Sequence, residues 1–217
     1  MGNTRVIETN EGIQNEVTVE MFDVFARKMR DKGWNGVDDM IASGIIGGDL
    51  LEIGPGPGYV GLELAKKIHP ASLTGCEISS AMIRIAERNA GEYGISARYV
   101  RSNCMDMPFE NESFDSVISN GSMHEWENPI RTFDEIHRVL RTGGRYCITD
   151  LCRDVSPVKK AMVYFSTQPK EMRPGLVSSL NAAYTVSEIT ELLRHSKLCN
   201  AKVSREFFGL CIAGQKR

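Results

Sequence analysis

A glycine-rich stretch just after residue 50 has the composition of a ligand-binding turn. From Glu52 to Gly61 the chain is EIGPGPGYVG, directly after a short apolar run. Glycines allow a tight turn and let a ligand approach the backbone, and free N–H groups at the start of a following helix form a polar socket. The stretch therefore predicts a ligand site at a turn between a strand and a helix.

Two registers of this stretch fit known ligand-binding turns. Gly56, Gly58 and Gly61 satisfy G-x-G-x-x-G, the pyrophosphate fingerprint of nicotinamide and flavin enzymes. Alternatively, the pattern E-x-G-x-G-x-G is formed by Glu52, Gly54, Gly56 and Gly58. In the nicotinamide fingerprint the first glycine should directly follow the strand, and here Gly54 holds that position. The strand end favours the second register, although the glycines alone leave both open.

Polar side chains also occur where later strands are predicted to end, the edge at which parallel sheets bind ligands. His124 follows the fourth predicted strand, where it could act as a general base with a pKa near neutrality. It could equally be a polar residue that leads into the helix capped at Asn128. Three further residues at strand ends are expected to face the pocket: Tyr59, Asp150 and Arg153.

The elements that position these residues follow from the apolar periodicity. Strand-like runs at 50–53, 72–77, 97–101, 114–119 and 145–149 alternate with amphipathic helical stretches. This alternation indicates βαβ units, a parallel sheet and helices on both of its faces. Ser79 and Asn128 are predicted helix caps, and Gly143–Gly144 is predicted to end the helix that begins at Pro129.

The remaining segments complete a single α/β domain. Helices are predicted at 18–32 and 37–43, and prolines break the pattern at 154–184; we expect residues 1–45 and 154–184 to form a helical cap over the ligand edge. Thr185 and Glu188 form a capping box, and 201–207 with 210–215 predict a closing antiparallel hairpin. The predicted fold is a doubly wound, Rossmann-like, mainly parallel seven-stranded sheet with its last strand antiparallel, having a core at 46–153 and a C-terminal helix and strand pair at 185–217.

Composition disfavours several classes of protein. Twenty-six basic and 28 acidic residues among 217 give a net charge of −2, so a nucleic-acid partner is not expected. The six cysteines show no C-x-x-C pair and no zinc spacing, which predicts reduced thiols and no metal site. No uncharged stretch approaches the roughly 18–20 residues that a membrane-spanning helix requires, and the first residues lack the apolar core of a signal peptide. We therefore expect a cytoplasmic protein that does not insert into membranes.

An ordered series of motifs extends along the chain from the glycine turn. E-x-G-x-G-x-G at 52–58 is followed by an acidic strand end at 77, DMPF at 106–109, FD at 114–115, NP at 128–129 and LRTGG at 140–144. In this order the motifs resemble those of class I S-adenosylmethionine-dependent methyltransferases, in particular the branch that includes ubiquinone/menaquinone C-methyltransferases. The resemblance covers about residues 45–152 and implies methyl transfer from S-adenosylmethionine, which leaves as S-adenosylhomocysteine.

The resemblance also implies roles for the matching positions. Gly54, Gly56 and Gly58 would pass under the methionine and ribose parts of the cofactor. Glu52 would lie near the cofactor's ammonium group, and Glu77 would bind both ribose hydroxyls.

The adenine and methionine ends of the cofactor have implied partners of their own. Ile78 and Met107 would enclose the adenine ring, and Asp106 would accept a hydrogen bond from its amino group. The backbone at Ser119 and Asn120 would help to hold the methionine part.

The acceptor is not identified by these motifs. A small molecule is favoured because there is no basic stripe and because SNGS at 119–122 replaces the N-P-P-Y-type tetrapeptide of enzymes that methylate bases or glutamine. His124 would serve as a base only if the attacking atom carries a proton. An NAD(P)-dependent oxidoreductase using Gly56, Gly58 and Gly61, and a non-catalytic S-adenosylmethionine-binding regulator, remain alternatives. The attacking atom and the oligomeric state stay open.

Overall fold

A seven-stranded sheet forms the centre of the computed structural model, which describes residues 4–8 and 13–217. The strands are β1 Asp49–Ile53, β2 Ser72–Glu77, β3 Arg98–Arg101, β4 Phe114–Asn120, β5 Leu140–Leu151, β6 Lys202–Arg205 and β7 Gly209–Gln215. Their order across the sheet is β3-β2-β1-β4-β5-β7-β6. β7 runs antiparallel to both neighbours, and the other neighbouring pairs are parallel. The predicted fold class is confirmed.

Helices cover both faces of the sheet and its ligand edge. They are α1 Glu16–Asp31, α2 Val37–Ala42, α3 Tyr59–Ile68, α4 Ser80–Tyr93, α5 Pro129–Val139, α6 Pro157–Ser166, α7 Arg173–Ala182 and α8 Val186–Arg194. The predicted caps are confirmed: the side chains of Ser79 and Asn128 accept hydrogen bonds from the N–H groups of the following turn. Both hydrogen bonds of the capping box between Thr185 and Glu188 are present.

One predicted boundary is wrong, because Gly143–Gly144 does not end a helix. α5 ends at Val139, and β5 begins at once with Leu140, whose backbone is extended and pairs with Phe114. The carbonyl of Val139 accepts a hydrogen bond from the N–H of Ser113, at 2.8 Å. The last turn of the helix thus finds a backbone partner in the neighbouring loop and needs no glycine cap.

The sheet is buried on both faces, as expected for a mainly parallel sheet between two helical layers. Leu50 of β1 packs in a cluster with α2 and α3, whereas its neighbour Leu51 faces the opposite cluster with α5 and α8. Because alternate side chains of a strand point to opposite faces, Glu52 returns to the α3 side. Glu52 therefore lies beneath α3, within reach of the backbone of that helix.

Helices α1, α6 and α7 lie outside the two main layers. α1 contributes Phe22, Phe25 and Met29 to the wall of a cavity at the ligand edge. None of the residues of α6 is buried, and both Tyr164 and Phe165 lie outside the cavity wall. The division into cap and core segments remains a prediction. No helix among residues 4–8 and 13–217 has both the length and the apolar character needed to span a bilayer.

Candidate functional site

The glycine turn begins at the first residue after β1. Gly54 donates its N–H to the carbonyl of Cys76 at 2.9 Å, which joins the turn to the end of β2. Gly54, Gly56 and Gly58 all have positive φ angles of 62°, 52° and 84°. Glycine alone enters this left-handed region without steric cost, so the three glycines are required by the path of the backbone.

Gly61 has a different role, because it lies inside α3 against the carboxylate of Glu52. The Gly61 N–H donates to Glu52 Oε2 at 3.1 Å, and a Cβ at this position would overlap that carboxylate. Burial raises the pKa of Glu52 to about 8, although the Gly61 N–H opposes the shift. Gly61 therefore permits close packing of helix on strand. The predicted role of Glu52 beside a ligand ammonium stays a prediction.

Glu77 ends β2 with its carboxylate between the glycine turn and α4. Oε2 accepts from the N–H of Gly56 at 3.1 Å, and Oε1 accepts from the N–H of Ser79 at 2.9 Å. Burial raises the pKa of Glu77, and the backbone N–H groups of Ser79, Gly56 and Ile78 oppose that shift. The glycine turn and the cap of α4 therefore hold the Glu77 carboxylate in a fixed position.

These groups open on one cavity of about 1210 Å³ at the carboxyl ends of the parallel strands. The volume is somewhat above the ~300–1,000 Å³ of a typical ligand pocket, so the cavity is large for a single small ligand. Predicted site residues in its wall are Glu52, Gly54, Gly56, Glu77, Ile78, Asn120 and His124, together with Tyr59 and Asp150.

Three predicted residues lie behind the wall. Gly58 faces the Tyr99 hydroxyl. Ser119 is fully buried and donates its hydroxyl to the carbonyl of Ile53. Arg153 is buried against α8, where it donates to Glu188.

The predicted adenine segment lies outside the cavity wall, since neither Asp106 nor Met107 lines the cavity. Asp106 is exposed at the end of a turn in which its N–H donates to the carbonyl of Asn103. Met107 is buried in the core, and its N–H donates to Glu135 at 2.8 Å. The turn directs Asn103, with its neighbours 104 and 105, into the wall instead. Its place just after β3, matching that of Glu77 at the end of β2, is the signal that could have identified Asn103.

His124 and Asp150 form a buried pair at the ends of β4 and β5. His124 Nδ1 lies 2.8 Å from Asp150 Oδ1, and the His124 N–H donates to Asp150 Oδ2 at 2.7 Å. Burial lowers the pKa of His124, but Asp150 and two further carboxylates outweigh this and raise it to about 9. His124 itself lies in the cavity wall.

Two acidic residues that the sequence did not single out face the other ring nitrogen of His124. Glu8 Oε2 lies 3.5 Å and Glu125 Oε1 lies 4.0 Å from His124 Nε2. Burial raises the pKa of Glu125 to about 7, with His124 opposing the shift and Glu8 adding to it. Glu125 adjoins His124 in sequence, whereas Glu8 belongs to no periodic element and gave no signal.

The wall is acidic. Among the described residues that line it there is no lysine or arginine. Its acidic members are Glu8, Asp39, Glu52, Glu77, Glu125, Glu127, Asp150 and Glu206. Such a wall attracts cationic ligands and repels phosphates and carboxylates.

Comparisons with known proteins converge on one family. Residues 51–148 match the family described as a methyltransferase domain. The chain is 36% identical over 102 residues to phthiotriol/phenolphthiotriol dimycocerosates methyltransferase 1 of Mycobacterium ulcerans, covering 47% of this chain and 37% of that protein. It is 27% identical over 140 residues to demethylmenaquinone methyltransferase of Porphyromonas gingivalis, covering 63% of this chain and 57% of that protein. The chain thus spans between about a third and three fifths of the length of these relatives.

A solved structure has the same fold over nearly the whole chain. It is the crystal structure of a protein from Methanococcus maripaludis that is named as a putative S-adenosylmethionine-dependent methyltransferase. It superimposes with a TM-score of 0.74 at 21% identity and covers 97% of each chain.

Proposed function

This chain belongs to the class I S-adenosylmethionine-dependent methyltransferases, and we propose that it transfers the methyl group of S-adenosylmethionine to a small-molecule acceptor. The observation that supports this most directly is the meeting of the glycine turn and Glu77 at one cavity wall, through the hydrogen bond from Gly56 to the Glu77 carboxylate. The strand ends at Ile53, so Gly54 occupies the first position of the turn, as the methyltransferase register requires.

The residues of the wall fit this cofactor. Gly54 and Gly56 have no side chain to prevent close approach, and the Glu77 carboxylate is a fixed acceptor suited to ribose hydroxyls. Ile78 offers an apolar surface to the adenine ring, and we propose Asn103, in place of Asp106, as the polar partner of the adenine edge.

Methyl transfer needs alignment more than catalytic side chains. The sulfonium supplies a methyl group that is already activated for displacement. The protein therefore has to hold the acceptor atom, the methyl carbon and the sulfur in a line and to exclude water from them. Helices α1 and α7 cover the cavity and contribute to that exclusion.

The acidic wall restricts the acceptor. A neutral or cationic molecule with an apolar body fits a cavity lined by Phe22, Phe25 and Met29 on one side and by carboxylates on the other. A free phosphate or carboxylate would meet no lysine or arginine among the described lining residues. The names of both curated relatives refer to small-molecule substrates, which supports the same class.

Calorimetric titration tests the cofactor first. The purified protein is titrated with S-adenosylmethionine, S-adenosylhomocysteine, NADH and NADPH. Saturable binding of the two sulfur compounds alone is expected. Binding of a nicotinamide cofactor alone would instead support the Gly56, Gly58 and Gly61 register and an oxidoreductase. Gly56→Val is the matched negative control, because valine is strained at a positive φ and projects toward Phe22.

A second experiment separates the enzyme from a regulator of the same fold. S-adenosylmethionine with a labelled methyl group is incubated with panels of amines, phenols, quinols and thiols, and the organic products are counted. Label transfer that is lost in Gly56→Val supports catalysis. Tight cofactor binding with no transfer to any class would favour a non-catalytic binding protein.

A further inference from the structure

Three side chains converge on one point of the cavity wall beside the proposed methyl-transfer site. They are Glu8, His124 and Glu125, whose nearest ligand-type atoms all lie within 4.8 Å of one another. His124 Nε2 lies 3.5 and 4.0 Å from the two carboxylates, so small side-chain movements would bring all three groups onto one metal ion with bonds of about 2.0–2.2 Å. The cluster combines one imidazole nitrogen with two carboxylate oxygens, a common ligand set for first-row divalent cations.

The partner of His124 on its other nitrogen strengthens this interpretation. Asp150 lies 2.8 Å from Nδ1, so a proton retained there leaves Nε2 as the nitrogen that gives up its proton to a metal ion. A carboxylate on the far nitrogen is the usual orienting partner of a metal-binding histidine. Asp150 also accepts the backbone N–H of His124, so both the ring and its backbone are fixed.

A second observation comes from Glu8. Its Oε2 atom is buried and accepts no hydrogen bond; its nearest cationic neighbour is the His124 imidazole at 3.5 Å, a contact that a bound cation would replace. The segment that holds it is anchored nearby: Arg5 donates to the carbonyl of His124 at 2.9 Å and stacks on the ring of Tyr184 at 4.0 Å. The carboxylate is therefore held over the imidazole by contacts other than its own.

The charge of the side chains around His124 also favours a bound cation. Glu8, Glu125 and Asp150 surround a single imidazole, so the cluster has more acidic than basic groups in a largely buried place. Buried charges are normally paired or coordinate metals. We propose that Glu8, His124 and Glu125 bind one divalent first-row cation, with Asp150 as the positioning residue for His124.

The site differs from the prediction of no metal, which depended on the spacing of the cysteines. Glu8 is too far from His124 in sequence for any spacing rule to join them. Three protein ligands leave coordination positions open toward the cavity, as in catalytic rather than structural metal sites. A cation here would lie where an oxygen or nitrogen of the acceptor can reach it. The inference does not depend on methyl transfer.

Manganese is the most suitable probe, because this hard cation prefers carboxylate oxygens to the thiols of the chain. The full chain is stripped with EDTA, dialysed and titrated with MnCl₂, and free Mn²⁺ is followed by electron paramagnetic resonance. We expect one bound Mn²⁺ per chain. Glu8→Gln and Glu125→Gln should each weaken binding by about tenfold or more, and Asp150→Asn by about 10- to 100-fold. Substitution with Co²⁺ should give a visible absorption spectrum that changes in Asp150→Asn.

The control is Glu110→Gln, at an exposed carboxylate outside the cavity wall. It should leave Mn²⁺ affinity unchanged, and thermal unfolding of every variant shows whether it folds. The proposal would be overturned if the wild type bound neither Mn²⁺ nor Co²⁺. It would also be overturned if Glu8→Gln and Glu125→Gln both bound Mn²⁺ with the affinity of the wild type. Calorimetry with S-adenosylhomocysteine on the same samples reports on the proposed function separately, so either proposal can fail alone.

Discussion

The Glu77 carboxylate accepts a hydrogen bond from the backbone N–H of Gly56, with 3.1 Å between nitrogen and oxygen. Glu77 ends β2 and Gly56 belongs to the turn after β1, so the hydrogen bond joins the carboxyl ends of two adjacent strands. The same carboxylate accepts from the N–H of Ser79, the cap of α4. A ligand that passes over the turn must meet Glu77, and this relationship supports the first prediction.

Glu77→Ala should weaken the binding of S-adenosylhomocysteine about 10- to 100-fold. Hydrogen bonds to a charged group contribute roughly 1.5–3 kcal/mol, and about 1.4 kcal/mol corresponds to a tenfold change in affinity. Calorimetric titration measures the change, with Glu110→Ala as a control at an exposed carboxylate. Unchanged affinity in a Glu77→Ala protein that unfolds at the wild-type temperature would falsify the assignment of Glu77 to the cofactor.

Asn103→Ala should weaken the binding of S-adenosylhomocysteine by about 2- to 10-fold, whereas Asp106→Ala should have no effect. Asn103 lines the cavity, and its side-chain oxygen accepts the N–H of Met105, which fixes the amide group. A neutral hydrogen bond contributes about 0.5–1.5 kcal/mol. Parallel titrations of the two variants measure the difference. The opposite ranking would restore Asp106 as the adenine partner.

Local signals predicted most of the fold but not the whole site. The caps at Ser79 and Asn128 were found because a cap is a contact between near neighbours. Gly143–Gly144 was misinterpreted, because the end of α5 depends on a loop about 25 residues away in sequence, through the hydrogen bond from Ser113 to Val139. The position of Asn103 in the wall was missed for a related reason: the conformation of a turn decides which of its residues faces the cavity. Glu8 could not be placed, since only tertiary contacts bring it to His124.

Glu52→Gln should make the stability of the ligand-free protein less sensitive to pH. Burial raises the pKa of Glu52 from 4.5 to about 8, so the folded state retains a proton that the unfolded state loses. The contribution of Glu52 to stability is therefore complete below pH 4.5 and is lost as the pH rises toward about 8. The variant should gain on the wild type by up to about 1.4 kcal/mol for each pH unit in that window.

Urea unfolding at half-unit pH steps measures this difference in the free energy of unfolding. Glu92→Gln, at an exposed position of α4, is the control and should track the wild type at every pH. A constant difference between Glu52→Gln and the wild type across the window would show that Glu52 is ionised in the folded protein. Glu52 would then need a cationic partner.

Asp23→Ala should loosen α1 and weaken cofactor binding together. Asp23 is buried, and its carboxylate accepts from the Tyr59 hydroxyl at 2.9 Å and from the Asn89 amide at 3.0 Å. Arg27 and Arg88 bind the same carboxylate at 2.6 and 3.1 Å. This group joins α1 to α3 and α4. Its removal leaves buried donors unpaired, so we expect a loss of about 2–4 kcal/mol in unfolding free energy, moderated by the partial exposure of both arginines.

The effect on α1 itself is measured by amide hydrogen exchange. α1 should exchange faster in Asp23→Ala than in the wild type, and affinity for S-adenosylhomocysteine should fall because Phe22 of the same helix lines the cavity. Asp31→Ala, an exposed ion-pair partner of Arg30 at the end of α1, is the matched control and should change neither. Faster exchange with full affinity would mean that α1 does not cover the bound cofactor. Unchanged exchange would mean that packing alone, without the Asp23 contacts, holds α1 in place.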